Sequence, residues 1–146
     1  MYCDLCLRKG TVFIPTMGKM DIGFYRGVEP VEVASASDAD ALHKALQTTI
    51  AHGNPDVPML RRSEWKPPVV LKYAGVKTWS AFERGMRLWS IEDKDGVYQI
   101  AEQKKQADGM WKDDPDRTIT FPPGAPVDDV VQRMISILQI AAASPR

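Results

Sequence analysis

The sequence predicts an α+β domain, in which a mostly antiparallel sheet of about five strands has helices packed on one face. Short apolar runs bounded by turn residues predict the strands. Lys94-Asp95-Gly96 joins two alternating segments, which is typical of a β-hairpin. Two longer segments, 38–52 and 127–143, carry apolar residues at helical spacing. The simplest arrangement of these elements places the helices against one face of the sheet.

The length and composition indicate one globular domain over residues 1–146. Lysine and arginine number 19, as do aspartate and glutamate, and 44% of the residues are hydrophobic. This balance, without a basic stripe, argues against direct binding of nucleic acid. No apolar run approaches the ~18–20 residues of a membrane span, and no signal peptide is apparent. We therefore predict a cytoplasmic protein with no membrane partner.

Two strands and a helix are predicted in the first third of the chain. Residues 11–16 and 24–35 are strand-like, and Pro30 suits an edge strand or a bulge. A helix is predicted over 38–52, with Ser37 as its N-cap.

The rest of the chain divides at glycines and prolines. A proline-rich connector over 53–68 leads to two short helical pieces within 69–85. The hairpin occupies 86–103, and a polar loop is predicted over 104–116. A strand over 117–122 precedes the closing helix.

Cys3 and Cys6 form a C-x-x-C pair and are the only cysteines. A structural zinc site needs four ligands, but His43 and His52 lie about half a turn apart around one helix. No helix follows the pair to lower a thiol pKa, and in a strand the two side chains point to opposite faces. We predict no metal and no cofactor, and we interpret residues 1–10 as a pendant arm or a first edge strand. A metal or redox module on this pair is kept as an alternative.

The common catalytic and nucleotide-binding motifs are absent from the sequence, which favours a binding function over catalysis. Carboxylate and tyrosine sites assemble in space and leave weak sequence signals. A small enzyme with a site near the 61–85 segment is therefore the main alternative. Its candidate polar groups are Tyr73, Glu83 and Arg84.

Acidic residues predominate late in the chain, where ten acids and six bases lie between Arg87 and Asp129. An acidic face suits a basic partner, because opposite charge speeds association. Trp65 lies in the basic connector and Trp111 in the predicted acidic loop, and tryptophan is enriched at interface hot spots. The predicted partner-binding residues are Trp111, Asp113, Asp114, Asp116, Glu92, Asp93 and Asp95.

Three consecutive segments form a family-like pattern. They read AGVKTW at 74–79, AFERG at 81–85 and LWSIEDKDGVYQI at 88–100. This order of a turn, a phenylalanine-bearing helix and a charged hairpin resembles immunity proteins of bacterial contact-dependent growth inhibition and related polymorphic toxin systems. With the flanking helices, the resemblance extends over about residues 35–143.

The resemblance implies a non-catalytic cytoplasmic protein that binds and neutralises a cognate toxin domain. Toxins of such systems are frequently nucleases with basic clefts, so an acidic surface would suit the partner. Because immunity families diverge at the toxin-facing surface, the resemblance assigns no contact residue.

Overall fold

One antiparallel sheet of six strands organises residues 1–144, the part of the chain described by the computed structural model. The strands are β1 (Tyr2–Arg8), β2 (Thr11–Lys19), β3 (Tyr25–Ser35), β4 (Arg87–Lys94), β5 (Val97–Lys105) and β6 (Trp111–Thr120). The helices are α1 (Ala39–His52), α2 (Val70–Ala74), α3 (Trp79–Glu83) and α4 (Val127–Ala143), with a 3-10 turn at Arg62–Glu64. The predicted α+β class is confirmed, with six strands instead of about five.

The spatial order of the strands is β3-β2-β1-β4-β5-β6, which places β1 in the interior of the sheet. Cys6 pairs with Phe13 of β2 on one side and with Leu88 of β4 on the other. The prediction that residues 1–10 form a pendant arm or an edge strand is therefore wrong. A strand that is buried on both faces carries apolar residues without clean alternation, which hides it in the sequence.

The first face of the sheet packs against α1 and α4. Leu5 and Ile14 of the sheet meet Leu42 of α1 and Leu138 of α4 in one buried cluster. All four side chains are completely buried. This cluster is the larger of two buried clusters among residues 1–144.

The second face packs against the short helices α2 and α3, so helices lie on both faces and not on one. Phe13 of the sheet makes an edge-to-face contact with Phe82 of α3, with ring centroids 5.6 Å apart. Cys6, Leu71 and Leu88 complete this contact region. Five-residue helices carry too little periodicity to reveal which face they cover.

Local turn and capping signals gave the most accurate boundaries. The closing helix spans the predicted residues 127–143, and Asp95 and Gly96 have φ values of 54° and 80°, as a tight hairpin turn requires. The first helix is capped by Asp38, which accepts a hydrogen bond from the Ala41 N–H at 3.0 Å, and not by Ser37.

The predicted polar loop over 104–116 is wrong, because β5 continues to Lys105 and β6 begins at Trp111. Only residues 106–110 form the connection. β6 is an edge strand with mostly exposed polar side chains and a proline at Pro115, so it lacks the apolar alternation of a half-buried strand. Within residues 1–144, none of the helices combines the length and the apolar character that crossing a membrane requires.

The interior position of β1 predicts that its side chains carry much of the stability. Leu5 is 0% exposed, whereas Ile140 on α4 is 69% exposed. We expect Leu5→Ala to lower the free energy of unfolding by about 2–5 kcal/mol, because it removes buried methyl groups and leaves a cavity. Ile140→Ala is the matched control and should change it by no more than about 0.5 kcal/mol. Urea unfolding followed by circular dichroism measures both, and equal effects would contradict the burial of β1.

Candidate functional site

Part of the second sheet face is not covered by α2 and α3. Across β1 and β4, Tyr2 lies opposite Glu92 and Asp4 lies opposite Ser90. Directly opposed side chains of an antiparallel pair lie on the same face. We call this region the acidic face and define it by Tyr2, Asp4, Ser90, Glu92, Gln103 and Asp113.

Hydrogen bonds across the strands connect the acidic face. The Ser90 hydroxyl donates to Oδ1 of Asp113 at 3.2 Å, which links β4 to β6. The side-chain amide of Gln103 donates to the Tyr2 hydroxyl at 3.5 Å, and that hydroxyl donates to the Asp4 carboxylate. Tyr2 also stacks on Tyr25 of β3, with ring centroids 4.5 Å apart and an interplanar angle of 12°. Side chains from β1, β3, β4, β5 and β6 are therefore linked by hydrogen bonds and ring stacking on this surface.

Asp4 has the most perturbed carboxylate of the acidic face. Burial raises its pKa from 3.8 to about 6, the Tyr2 hydrogen bond opposes this increase, and the charge of Asp113 adds to it. Its Oδ1 atom is buried and accepts no hydrogen bond from residues 1–144. Burial and the neighbouring Asp4 charge also raise the pKa of the Tyr2 hydroxyl, which therefore stays protonated as a donor.

The raised pKa of Asp4 predicts a pH-dependent loss of stability. Between about pH 4 and pH 6 the folded chain retains a proton that the unfolded chain has released, so stability from this group falls as pH rises and stays low above pH 6. The difference between the pKa of Asp4 in the unfolded chain and in the folded chain corresponds to about 3 kcal/mol of folding free energy. We expect Asp4→Asn to raise the free energy of unfolding by about 1–3 kcal/mol at pH 8 and to change it little at pH 4.

Urea unfolding between pH 4 and pH 8 measures this difference. Asp116→Asn is the matched control, because Asp116 is an exposed aspartate of β6. A pH-independent effect of Asp4→Asn would contradict the buried ionisable group.

The structure separates the seven predicted partner-binding residues. Glu92 and Asp113 lie on the acidic face. Glu92 also forms an ion pair with Lys94, whose Nζ lies 3.7 Å from Glu92 Oε2. Asp93 and Asp95 lie at the hairpin turn, where Asp93 Oδ1 accepts the Gly96 N–H at 3.0 Å. Asp95 is exposed, whereas the side chain of Asp93 serves the turn.

The remaining three predicted residues lie on β6. Trp111 is half-buried, and its Nε1–H donates to Glu83 Oε2 at 3.1 Å, so it is packed against α3 and is not in an exposed loop. Asp114 Oδ1 accepts the backbone N–H of Asp116 at 3.0 Å, and Arg117 lies 3.9 Å away. Of these three residues, only Asp116 is exposed.

Sequence reasoning missed Tyr2, Asp4, Ser90 and Gln103. One signal was available, because Asp4 is the only charged residue in the apolar run YCDLCL. The contact between Tyr2 and Gln103 spans 101 residues of sequence and depends on the strand order, which no local pattern reveals.

A buried ion-pair network fixes the register of the last three strands on the first face. Glu102 accepts hydrogen bonds from Arg87 Nε at 2.9 Å, from Arg87 Nη2 at 3.1 Å and from Arg117 Nη1 at 3.2 Å. Arg87 also lies over the Trp89 ring, 5.0 Å from its centroid. These contacts hold β4, β5 and β6 together from the face opposite to the acidic face.

The groups of the predicted enzyme alternative do not share one site. Glu83 and Arg84 line a cavity of about 620 Å³ at one end of the sheet, but Tyr73 does not. Tyr73 donates instead to Glu29 on β3. Glu83 accepts hydrogen bonds from Lys105 at 2.6 Å and from Trp111, and these bonds lower the pKa of its carboxyl. Glu83 is thus an ionised group that binds β5 and β6 to α3.

The cysteine pair is divided between the two cores. Cys3 lies in the cluster under α1 and α4, and Cys6 lies in the cluster under α2 and α3, which confirms their predicted opposite directions. Both thiols are free, and burial raises the pKa of Cys3 to about 12 and raises that of Cys6. Side chains on opposite faces of a strand cannot bind one metal ion or form one disulfide. Among residues 1–144, no three His, Cys, Asp or Glu side chains are grouped to hold a metal.

Solved structures with a similar fold include the following two. A protein of unknown function from Neisseria meningitidis superimposes with a TM-score of 0.64 at 12% identity, covering 99% of this chain and 94% of that one. The CdiI immunity protein of the CdiA-CT/CdiI toxin and immunity complex from Yersinia pseudotuberculosis gives a TM-score of 0.60 at 12% identity, covering 97% and 95%. No protein-family model matches the chain. No curated protein matches it in sequence.

Proposed function

We propose that this chain is a cytoplasmic immunity protein that binds and neutralises a cognate bacterial toxin domain. The observation that carries the proposal is the similarity of nearly the whole fold to an immunity protein of a toxin complex. The chain would act by binding and not by turnover. The toxin would be a nuclease, because an acidic surface complements the basic surface by which nucleases hold phosphates.

The acidic face is the surface proposed to meet the toxin. Glu92 and Asp113 present carboxylates there, and Asp95 and Asp116 add exposed charge at the hairpin turn and along β6. Long-range attraction by such charges accelerates the encounter with a basic partner. The hydrogen bond between Ser90 and Asp113 fixes one of these carboxylates before binding, which reduces the entropy lost in the complex.

The other predicted contact residues would contribute through position. Trp111 is held by Glu83, and Asp93 and Asp114 are held by backbone N–H groups. These side chains are ordered in the free chain, so they can form part of a preorganised surface. The surface therefore combines the exposed carboxylates of Asp95 and Asp116 with side chains that hydrogen bonds hold in place.

The direct test measures whether this chain rescues the growth of cells that express the toxin and whether it binds the toxin domain. Cells that express the toxin domain encoded beside this chain should stop growing, and co-expression of this chain should restore growth. The two proteins should co-purify with a dissociation constant of about 1 nM or below, as neutralisation requires slow dissociation. The same toxin domain with an unrelated acidic protein serves as the control. Failure of this chain to rescue growth or to bind the domain would refute the proposal.

The role of the acidic face is tested by a charge-neutral double variant. Glu92→Gln with Asp113→Asn keeps the side-chain shape, and the new amide oxygen can still accept from Ser90. We expect the association rate with the toxin domain to fall about 3–10-fold at low salt, with a smaller change in the dissociation rate. Stopped-flow fluorescence at several salt concentrations measures both rates.

The matched control is the double variant Asp40→Asn with Asp129→Asn, because both are exposed aspartates in the first turns of α1 and α4, on the opposite side of the sheet. If this control slows association as much as the test variant, the effect is one of net charge and the acidic face is not the contact surface.

A further inference from the structure

A second cavity, of about 350 Å³, lies between the second sheet face and the segment that contains α2 and α3. Pro15 and Met17 of β2 line one wall, and Val69 and Trp79 line another. Among the lining residues that the structure describes, Asp4 alone carries a charged side chain. The cavity is therefore an apolar space with one carboxylate at its boundary with the acidic face.

The hydrogen bonding of that carboxylate is incomplete. The Tyr2 hydroxyl donates to it, but Oδ1 is buried and accepts no hydrogen bond from residues 1–144. A buried carboxylate oxygen without a donor is unfavourable, and a cationic donor satisfies it best. The charge of Asp113 acts on Asp4, and it is negative. The elements that cover the cavity contribute only apolar side chains at its lining, so no positive charge there would repel a cation.

A glycine keeps the cavity open on the β3 side. Gly27 lines it, and a Cβ atom at that position would lie 3.4 Å from both Pro15 and Val69. Such distances are ordinary van der Waals contacts, so alanine would occupy space without forcing the backbone to move. This position offers a way to fill the cavity without changing Asp4.

We propose that this cavity binds a protonated primary amine on a short alkyl chain. The ammonium group would donate to the Asp4 carboxylate, and the alkyl chain would lie against the apolar walls that include Met17, Val69 and Trp79. Burial of the chain and a charge-assisted hydrogen bond both favour this ligand over a neutral or anionic one. The site belongs to the isolated chain, and the inference does not rest on toxin binding.

The test uses n-pentylammonium chloride and the full chain labelled with ¹⁵N, at pH 8, where Asp4 is ionised. We expect saturable shifts of the amide resonances of Asp4, Cys6 and Gly27. Asp4→Asn should weaken the apparent affinity about tenfold or more, because the ionic partner of the hydrogen bond is lost. Gly27→Ala should weaken it while the carboxylate remains. Asp40→Asn, at an exposed aspartate in the first turn of α1, should leave it unchanged.

Further ligands separate the possible sources of the amine. Binding of Nα-acetyl-lysine N-methylamide to the same resonances would show that the site takes a lysine side chain, and binding of pentylammonium alone would show that it takes a free amine. The inference is overturned if pentylammonium causes no saturable shift, if Asp4→Asn binds it equally well, or if 1-pentanol binds as tightly. Amide dispersion of each variant verifies that it is folded.

Discussion

The interior position of β1 is the constraint on which the rest of the fold depends. Because it pairs with both β2 and β4, it joins the two halves of the sheet, and its residues must suit two buried faces at once. Leu5 serves the larger core, and the small thiols of Cys3 and Cys6 divide between the two. Asn54 secures the start of the strand: its side chain accepts from the Tyr2 N–H at 2.9 Å and donates to the Tyr2 and Met17 carbonyls at 2.8 Å. The cysteine pair is explained by packing.

This constraint makes Asp4 unusual. A carboxylate in an interior strand loses hydration, and the structure compensates one side of it with the Tyr2 hydroxyl, itself hydrogen-bonded to Gln103. An apolar or amide side chain at this position would avoid the cost of a buried charge. A hydrogen-bond donor from outside the chain would offset that cost. Asp4 belongs to the acidic face and also lines the apolar cavity, so a ligand at either surface would lie next to it.

Helices and turns that depend on local residue patterns could be predicted from the sequence. Strands whose assignment depends on pairing with distant segments could not. The helix over 127–143 and the turn at Asp95 and Gly96 follow from residue spacing and backbone preference. β6 was missed because an exposed edge strand with Pro115 has the composition of a loop. The acidic residues of the candidate site were visible in the sequence, but only strand register places Glu92 and Asp113 on one face of the sheet. Trp111 was predicted to lie in an acidic loop, and its hydrogen bond to Glu83 on a distant helix could not be predicted from either segment.

The two faces of the sheet differ in how far helices cover them. The first face is covered by two long helices and carries the buried Glu102 ion-pair network, so its polar groups are used within the fold. The second face is covered in part by two five-residue helices, and its open part holds the acidic face and borders the apolar cavity. At 12% identity, most side chains differ between this chain and the CdiI immunity protein even though the folds superimpose. Proteins that share a backbone but differ in their surface side chains bind different partners, so the fold by itself does not identify a partner.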